Sequence, residues 1–196
     1  MIFSALLPLR LYGLISNIRP DANGGESALV ALPTVNQVRQ LPQLSGVVVP
    51  PEYEDFNGHM RITHHLGVHD DASMPFFALI GIDASYFAAR RLGVVDLEHH
   101  IQYVSEVFVG DRVAVHARFL SRSDNVLHSQ WFLLNVSRER IANTLEAVSL
   151  HLDLDGRRAA PFPADVAGSL DRVIEEHQAL DWDAPTCGFM GPRSAA

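Results

Sequence analysis

The chain has 196 residues and a formal net charge of −8, with 47% hydrophobic and 19% charged residues. That balance supports one sizeable core and excludes disorder throughout, and the acidic excess argues against a nucleic-acid partner, which needs an accumulated basic surface. The single cysteine, Cys187, excludes a disulfide framework and a cysteine-rich zinc site, and it suits a cytoplasmic protein.

The opening "MIFSALLPLRLYGLIS" is the one targeting candidate. No basic residue precedes its apolar run, which Pro8 and Arg10 interrupt, so a secretory signal fits poorly. A short docking segment and a start assigned too far upstream are the readings that remain. No stretch approaches the ~18 consecutive apolar residues of a spanning helix. Residues 19–29 collect Pro, Asp, Asn, Gly and Ser and read as linker, and residues 32–44 can hold a short helix between Pro33 and Pro42. Residues 1–45 are therefore expected to be extension and linker, with 1–40 dispensable for the core.

The main domain is expected over 46–163. "GVVV" (46–49) is a short β-branched run stopped by Pro50 and Pro51, a strand signal. After the polar turn "YEDFNGHMR", Ile62, Leu66, His69, Ser73, Phe76 and Ile80 recur at helical spacing, with Gly81 as a stop. Pro75 should kink or split this helix. Residues 81–93 read as a connection with a helical turn or two. From 94 to 154 the period changes to two. Val113, Val115, Ala117 and Phe119 alternate with Ala114, His116, Arg118 and Leu120, and Val148 to 154 repeats the pattern. Turn residues at 109–111, 121–125 and 137–140 divide this stretch into four long antiparallel strands. A C-terminal amphipathic helix is expected over 164–179, in a helix-and-tail region 164–196.

A helix with one apolar stripe must bury it, and the antiparallel sheet is the available partner. The predicted class is α+β, a sheet wrapped around a long helix, and pairing of sheet edges would give at least a dimer. Asp55 and Asn57 stand just before the helix. Either residue can cap it. Alternatively, Asp55 faces unpartnered amides of the first turn, where Gly58 lets the backbone approach closely. His65 and His69 share a helix face beside Asp70, but no third ligand stands at a diagnostic spacing, so no metal is expected.

Three motifs in this order resemble the hotdog-fold acyl-CoA thioesterases of the 4-hydroxybenzoyl-CoA thioesterase type. "YEDFNGHMR" is similar to the family's Asp-x-x-Gly-His pattern, and "LEHHIQYVSEVFVGDRV" (97–113) to its second-strand signature. "LHLDLDGRRAAPFP" (150–163) resembles the last strand and tail of a subgroup that includes betainyl-CoA thioesterases of carnitine breakdown and thioesterase-like proteins of actinobacteria. The resemblance implies hydrolysis of an acyl-CoA thioester without a cofactor, by a homodimer or dimer of dimers. It makes Asp55 the catalytic carboxylate, acting as nucleophile or as base for water. Gly58 and His59 would shape the turn, and Glu98 would be a second carboxylate. Asn57, Met60, Arg61, Ile62, His65 and His100 would line the substrate. Arg157 and Arg158 would meet the coenzyme A phosphates, unless they simply belong to a solvated turn. Arg61 stands where the family commonly has Asn, and His65 stands near the place of an aromatic. A hydratase or dehydratase using His64 or His65 is the alternative enzyme, and a non-catalytic acyl-CoA binder is the alternative module.

Overall fold

The computed structural model describes residues 31–192. The targeting reading of the N-terminus and the linker at 19–29 lie outside the described residues. The first element is a short helix, α1 (Val35–Val38), started by a reciprocal cap. The Gln37 N–H donates to Thr34 Oγ1, and the Thr34 N–H donates to Gln37 Oε1.

Five strands form one antiparallel sheet in the order β1 (Gln43–Val48), β3 (Arg112–Arg122), β4 (Val126–Asn135), β5 (Arg140–Asp153) and β2 (Leu92–Tyr103). A two-residue strand, β6 (Arg158–Ala159), joins β5 beyond the point where β4 starts. The strands β3 to β5 are the expected meander. β2 precedes them in sequence yet pairs with β5, so the chain between β1 and β2 crosses one face of the sheet. That crossing carries the helices α2 (Ile62–Asp70), α3 (Ser73–Ala78) and α4 (Ala84–Arg90).

Pro75 divides the expected helix. It falls in the first turn of α3, where a missing N–H deprives no intrahelical acceptor, so the break comes just before it at Asp71 and Ala72. After α3, Gly81 at φ 83° reverses the chain. Phe76 of α3 stacks on Phe119 of β3 at 3.9 Å and tilts against Trp131 of β4 at 4.3 Å, and all three are in the core. The C-terminal helix α5 (Ala164–Gln178) buries Val166, Leu170, Ile174 and His177, one stripe at helical spacing, and packs beside β3. The expected helix and the observed one agree to within a residue.

The opposite face of the sheet holds a second core that includes part of the segment expected to be dispensable. Val38 and Leu41 pack with Phe132, Leu134, Ile141 and Trp182. Val38 is completely buried. The Trp182 Nε1–H donates to Gln40 Oε1 at 2.8 Å, and the Arg118 guanidinium lies 4.6 Å from the Trp182 ring. Phe132 and Leu134 alternate with core residues Trp131 and Leu133 along β4, so the sheet is apolar on both faces. Segments from both ends of the described chain cover the second face. Among the described residues, no helix is long and apolar enough to cross a membrane.

Candidate active site

A 3-10 turn (Pro51–Tyr53) leads into a small hairpin that carries Asp55. Glu54 and Met60 face each other as a bridge. The Asp55 N–H donates to the His59 carbonyl at 2.9 Å, and the Gly58 N–H returns to the Asp55 carbonyl at 3.1 Å. Gly58 has φ 80°, a left-handed conformation that explains why "DFNG" ends in glycine. The hairpin is docked by the Met60 N–H on the Val107 carbonyl and the Arg61 N–H on the Tyr53 carbonyl, each at 2.7 Å. Phe56 projects from its tip, fully exposed.

Helix α2 begins only at Ile62, with Arg61 at the capping position and no side-chain cap. Neither Asp55 nor Asn57 caps it. Asp55 Oδ1 instead accepts the Asn57 N–H at 2.8 Å, and Oδ2 accepts Asn57 Nδ2 at 3.3 Å. This is the local turn that a short carboxylate favours. His59 Nδ1 is 3.5 Å from Asp55 Oδ1. Partial burial works to raise the Asp55 carboxyl, but the Asn57 amide and the His59 ring outweigh it and hold it below its ordinary value. The site therefore holds an ionised, oriented carboxylate at neutral pH, shortly before a helix N-terminus.

The remaining candidates scatter. Asn57, Gly58 and His59 surround Asp55, whereas the Met60 side chain is buried in the core and cannot line a substrate. Arg61 reaches back to the Glu54 carbonyl at 3.2 Å, and Ile62 is exposed beside it. His64 stacks flat on Tyr53 at 3.8 Å. His65 and His69 are buried and grip one amide between them. Asn143 Nδ2 donates to His65 Nδ1 at 2.8 Å, while His69 Nε2 donates to Asn143 Oδ1 at 2.7 Å. Burial pushes both rings down to about 4, so both are neutral. His65 is a buried, hydrogen-bonded residue of the fold rather than a free group.

A cleft of about 320 Å³ opens along α2 from Thr63 to Asp70, between the helices and β2. Trp131, Phe77 and Leu145 give it an apolar floor, and Asp70, Asp96 and His99 stand on its walls. Asp96 accepts from Ser149 Oγ at 2.6 Å and bonds His99 Nε2 at 3.0 Å. Burial would raise the Asp96 carboxyl, but these two partners hold it below its usual range.

The sequence pointed to Glu98 and His100 as the groups that β2 contributes. Both instead lie on the opposite face of the sheet. The register of β2 on β5 slips between Asp96 and Glu98, with Leu97 bulged out. Glu98 pairs with Val148 and His100 with Glu146, residues that alternate with the cleft-lining Leu145 and Ala147. The extra residue turns Asp96 and His99 to one face and Glu98 and His100 to the other. The one hint in the sequence was the run "DLEHH", where two polar residues three apart can share a face only across a bulge. Arg157 and Arg158 sit on the turn after β5, about ten residues along that strand from Asn143, which is roughly 30 Å at ~3.3 Å per residue. One chain therefore does not bring them to Asp55. Arg90 and Arg91 are held by Asp165 and Asp155.

The profile of the Thioesterase-like superfamily matches residues 49–170, from before the Asp55 hairpin into α5. A betainyl-CoA thioesterase of Pseudomonas aeruginosa is 33% identical over 132 residues, covering 67% of this chain and 83% of that protein. An L-carnitine dehydrogenase/betainyl-CoA thioesterase of Agrobacterium fabrum is 34% identical over 63% of this chain but only 25% of its own length. Among solved structures, a Staphylococcus aureus protein in complex with CoA superposes with a TM-score of 0.68 at 19% identity, over 78% of this chain and 97% of that one. A 1,4-dihydroxy-2-naphthoyl-CoA thioesterase from Synechocystis gives 0.57 at 12% identity, over 65% and 93%. These structural likenesses show the fold, a hotdog.

Proposed function

We propose, from the premise that this chain belongs to the thioesterase-like superfamily and hydrolyses acyl-CoA thioesters, that Asp55 carries the reaction. The observation that carries this reading is the fixed, ionised carboxylate of Asp55 on the hairpin that leads into α2. A carboxylate held below its ordinary pKa is a weak base, and its more loosely engaged oxygen, Oδ2, suits direct attack. Oδ2 bonds to the thioester carbon, the carbon–sulfur bond breaks, and coenzyme A leaves as thiolate and takes a proton from water. Water then opens the resulting anhydride, releasing the free acid and restoring Asp55. The amides of Ile62 and Thr63 at the start of α2 would hold the oxygen that becomes negative, whereas the His64 N–H is already bonded to the Arg61 carbonyl.

The cleft beside β2 supports an acyl group with a cationic head. Trp131 and Phe77 offer aromatic faces, and Asp70 and Asp96 add negative charge. That combination receives quaternary ammonium groups, and it agrees with the betainyl-CoA thioesterase named among the relatives. The hydratase alternative gains nothing, because His64 is stacked on Tyr53 and His65 is held by Asn143. Two copies would pair along the open edge of β2, a twelve-residue strand with Val95 and Leu97 exposed. In an antiparallel pairing a second copy could deliver the arginine turn to this chain's site. The single cysteine and a CoA substrate support a cytoplasmic setting.

The test is thiol release from betainyl-CoA, acetyl-CoA and a long-chain acyl-CoA. Betainyl-CoA should give the highest kcat/KM. Equal rates on all three would remove the cationic-head reading, and no hydrolysis of any would remove the enzymatic one.

A further inference from the structure

On the face of the sheet opposite the cleft, the segment after α5 crosses β5 and β2. It places Cys187 against two groups that are far away in sequence. A ring nitrogen of His100, a carboxylate oxygen of Glu146 and the thiol sulfur of Cys187 lie within 4.8 Å of one another. Glu146 is almost completely buried, with 1% of its surface exposed. The Cys187 N–H donates to Glu146 Oε2 at 2.6 Å, which fixes the segment over the carboxylate. His128 donates from Nε2 to Glu146 Oε1 at 2.8 Å, leaving lone pairs on both oxygens.

We propose that His100, Glu146 and Cys187 form a binding site for a borderline divalent cation, zinc by ligand type. Thiolate, imidazole and carboxylate together are zinc donors, whereas magnesium and calcium take oxygen ligands. Ligand atoms around tetrahedral zinc stand roughly 3.3–3.8 Å apart, given bonds of about 2.0–2.3 Å, so closing on the ion needs a contraction of about 1 Å. The fourth position is left to water. His128 is a positioning residue: its hydrogen bond orients the ligating carboxylate, as outer-shell partners of metal ligands do. The site cross-links the C-terminal segment to two strands, and its role is to hold that segment down on the sheet. It shares no residue with the cleft or with the Asp55 hairpin.

The experiment uses the full chain, reduced and stripped with a chelator, then titrated with Co(II) and with Zn(II). Because Cys187 is the only cysteine, a thiolate-to-cobalt charge-transfer band in the near ultraviolet can arise only here. We expect a saturable band at one Co(II) per chain, its displacement by Zn(II), and a rise in Tm with Zn(II). Cys187→Ser should abolish the band, His100→Ala should do the same, and His128→Ala should weaken binding roughly 10–100-fold. No band, or cobalt bound without thiolate absorption, overturns the proposal. The wild-type titration separates these outcomes even if a variant fails to fold.

Discussion

Asp55 is held by its own turn, and that has consequences at the scale of one side chain. Asp55→Asn keeps the shape and an acceptor for the Asn57 N–H, but the amide cannot attack a thioester. Turnover should fall by roughly a hundredfold or more, with Tm nearly unchanged because the carboxylate caps no helix. A variant that turns over normally but melts early would make Asp55 a structural turn residue. Direct attack makes a sharper forecast. Label found in the Asp55 carboxylate after a single turnover in ¹⁸O-water would establish direct attack, because base catalysis places the label in the released acid alone. The buried histidines predict a pH dependence of stability. His65 and His69 titrate near 4 in the fold and near ~6.5 when unfolded. As pH falls below about 6.5, the unfolded chain takes up protons first. Stability is therefore complete above that pH and is lost progressively down to about 4. At about 1.4 kcal/mol per pKa unit the loss amounts to a few kcal/mol for each ring. Urea unfolding at pH 7.5 and 5.0 measures it, and His69→Gln should reduce the difference, the remainder coming from His65 and the other buried rings His116, His151 and His177.

Strand β2 decides the chemistry of the cleft through one bulged residue. Leu97 reverses the alternation, so Asp96 rather than Glu98 is the carboxylate that β2 turns into the cleft. Asp96→Asn should lower kcat/KM for a cationic acyl group by roughly tenfold, the scale of one desolvated charge contact of about 1–2 kcal/mol. Glu98→Gln should leave the rate within about twofold. Opposite results would mean that the bulge does not persist in solution. The helices show a comparable local effect. Pro75 costs α3 nothing in its first turn, and the break before it leaves α2 to line the cleft while α3 fills the core with Phe76.

At the scale of the whole molecule, the sheet is buried on both faces, which makes the segment before β1 part of the fold. A chain starting at Leu41 loses the burial of Val38, worth about 1.5–3 kcal/mol, and the Gln40–Trp182 hydrogen bond, worth about 1 kcal/mol. Its Tm should fall by roughly 5–15 °C. An unchanged Tm would show that the second core is closed by Trp182 alone. The open edge of β2 makes the assembly testable as well. Leu97→Lys should shift sedimentation from dimer towards monomer, because a charge on an edge strand opposes pairing. A wild-type monomer at micromolar concentration would refute the edge-paired dimer.

Much of this protein is specified by interactions that span only a few residues, and that part was legible in the chain itself. Period-two runs from 113 to 154 specified the meander, Pro75 specified the break in the helix, and the stripe through Leu170 and Ile174 specified α5 almost to the residue. "DFNG" likewise specified a tight turn with glycine left-handed, and with it the setting of Asp55. Everything that needed two distant segments was left to tertiary contacts. The family resemblance put Glu98 and His100 with the substrate, and only the pairing of β2 on β5 revealed the slip that turns them away. Val38 reads as linker until Phe132 and Trp182 are laid against it. His100, Glu146 and Cys187 carry no spacing signal, because their proximity comes from strand pairing and from a segment folding back. The reason is common to all three. Periodicity and turn chemistry act over a few residues, whereas register, the covering of a face and a cluster of side chains are set by contacts that close long loops.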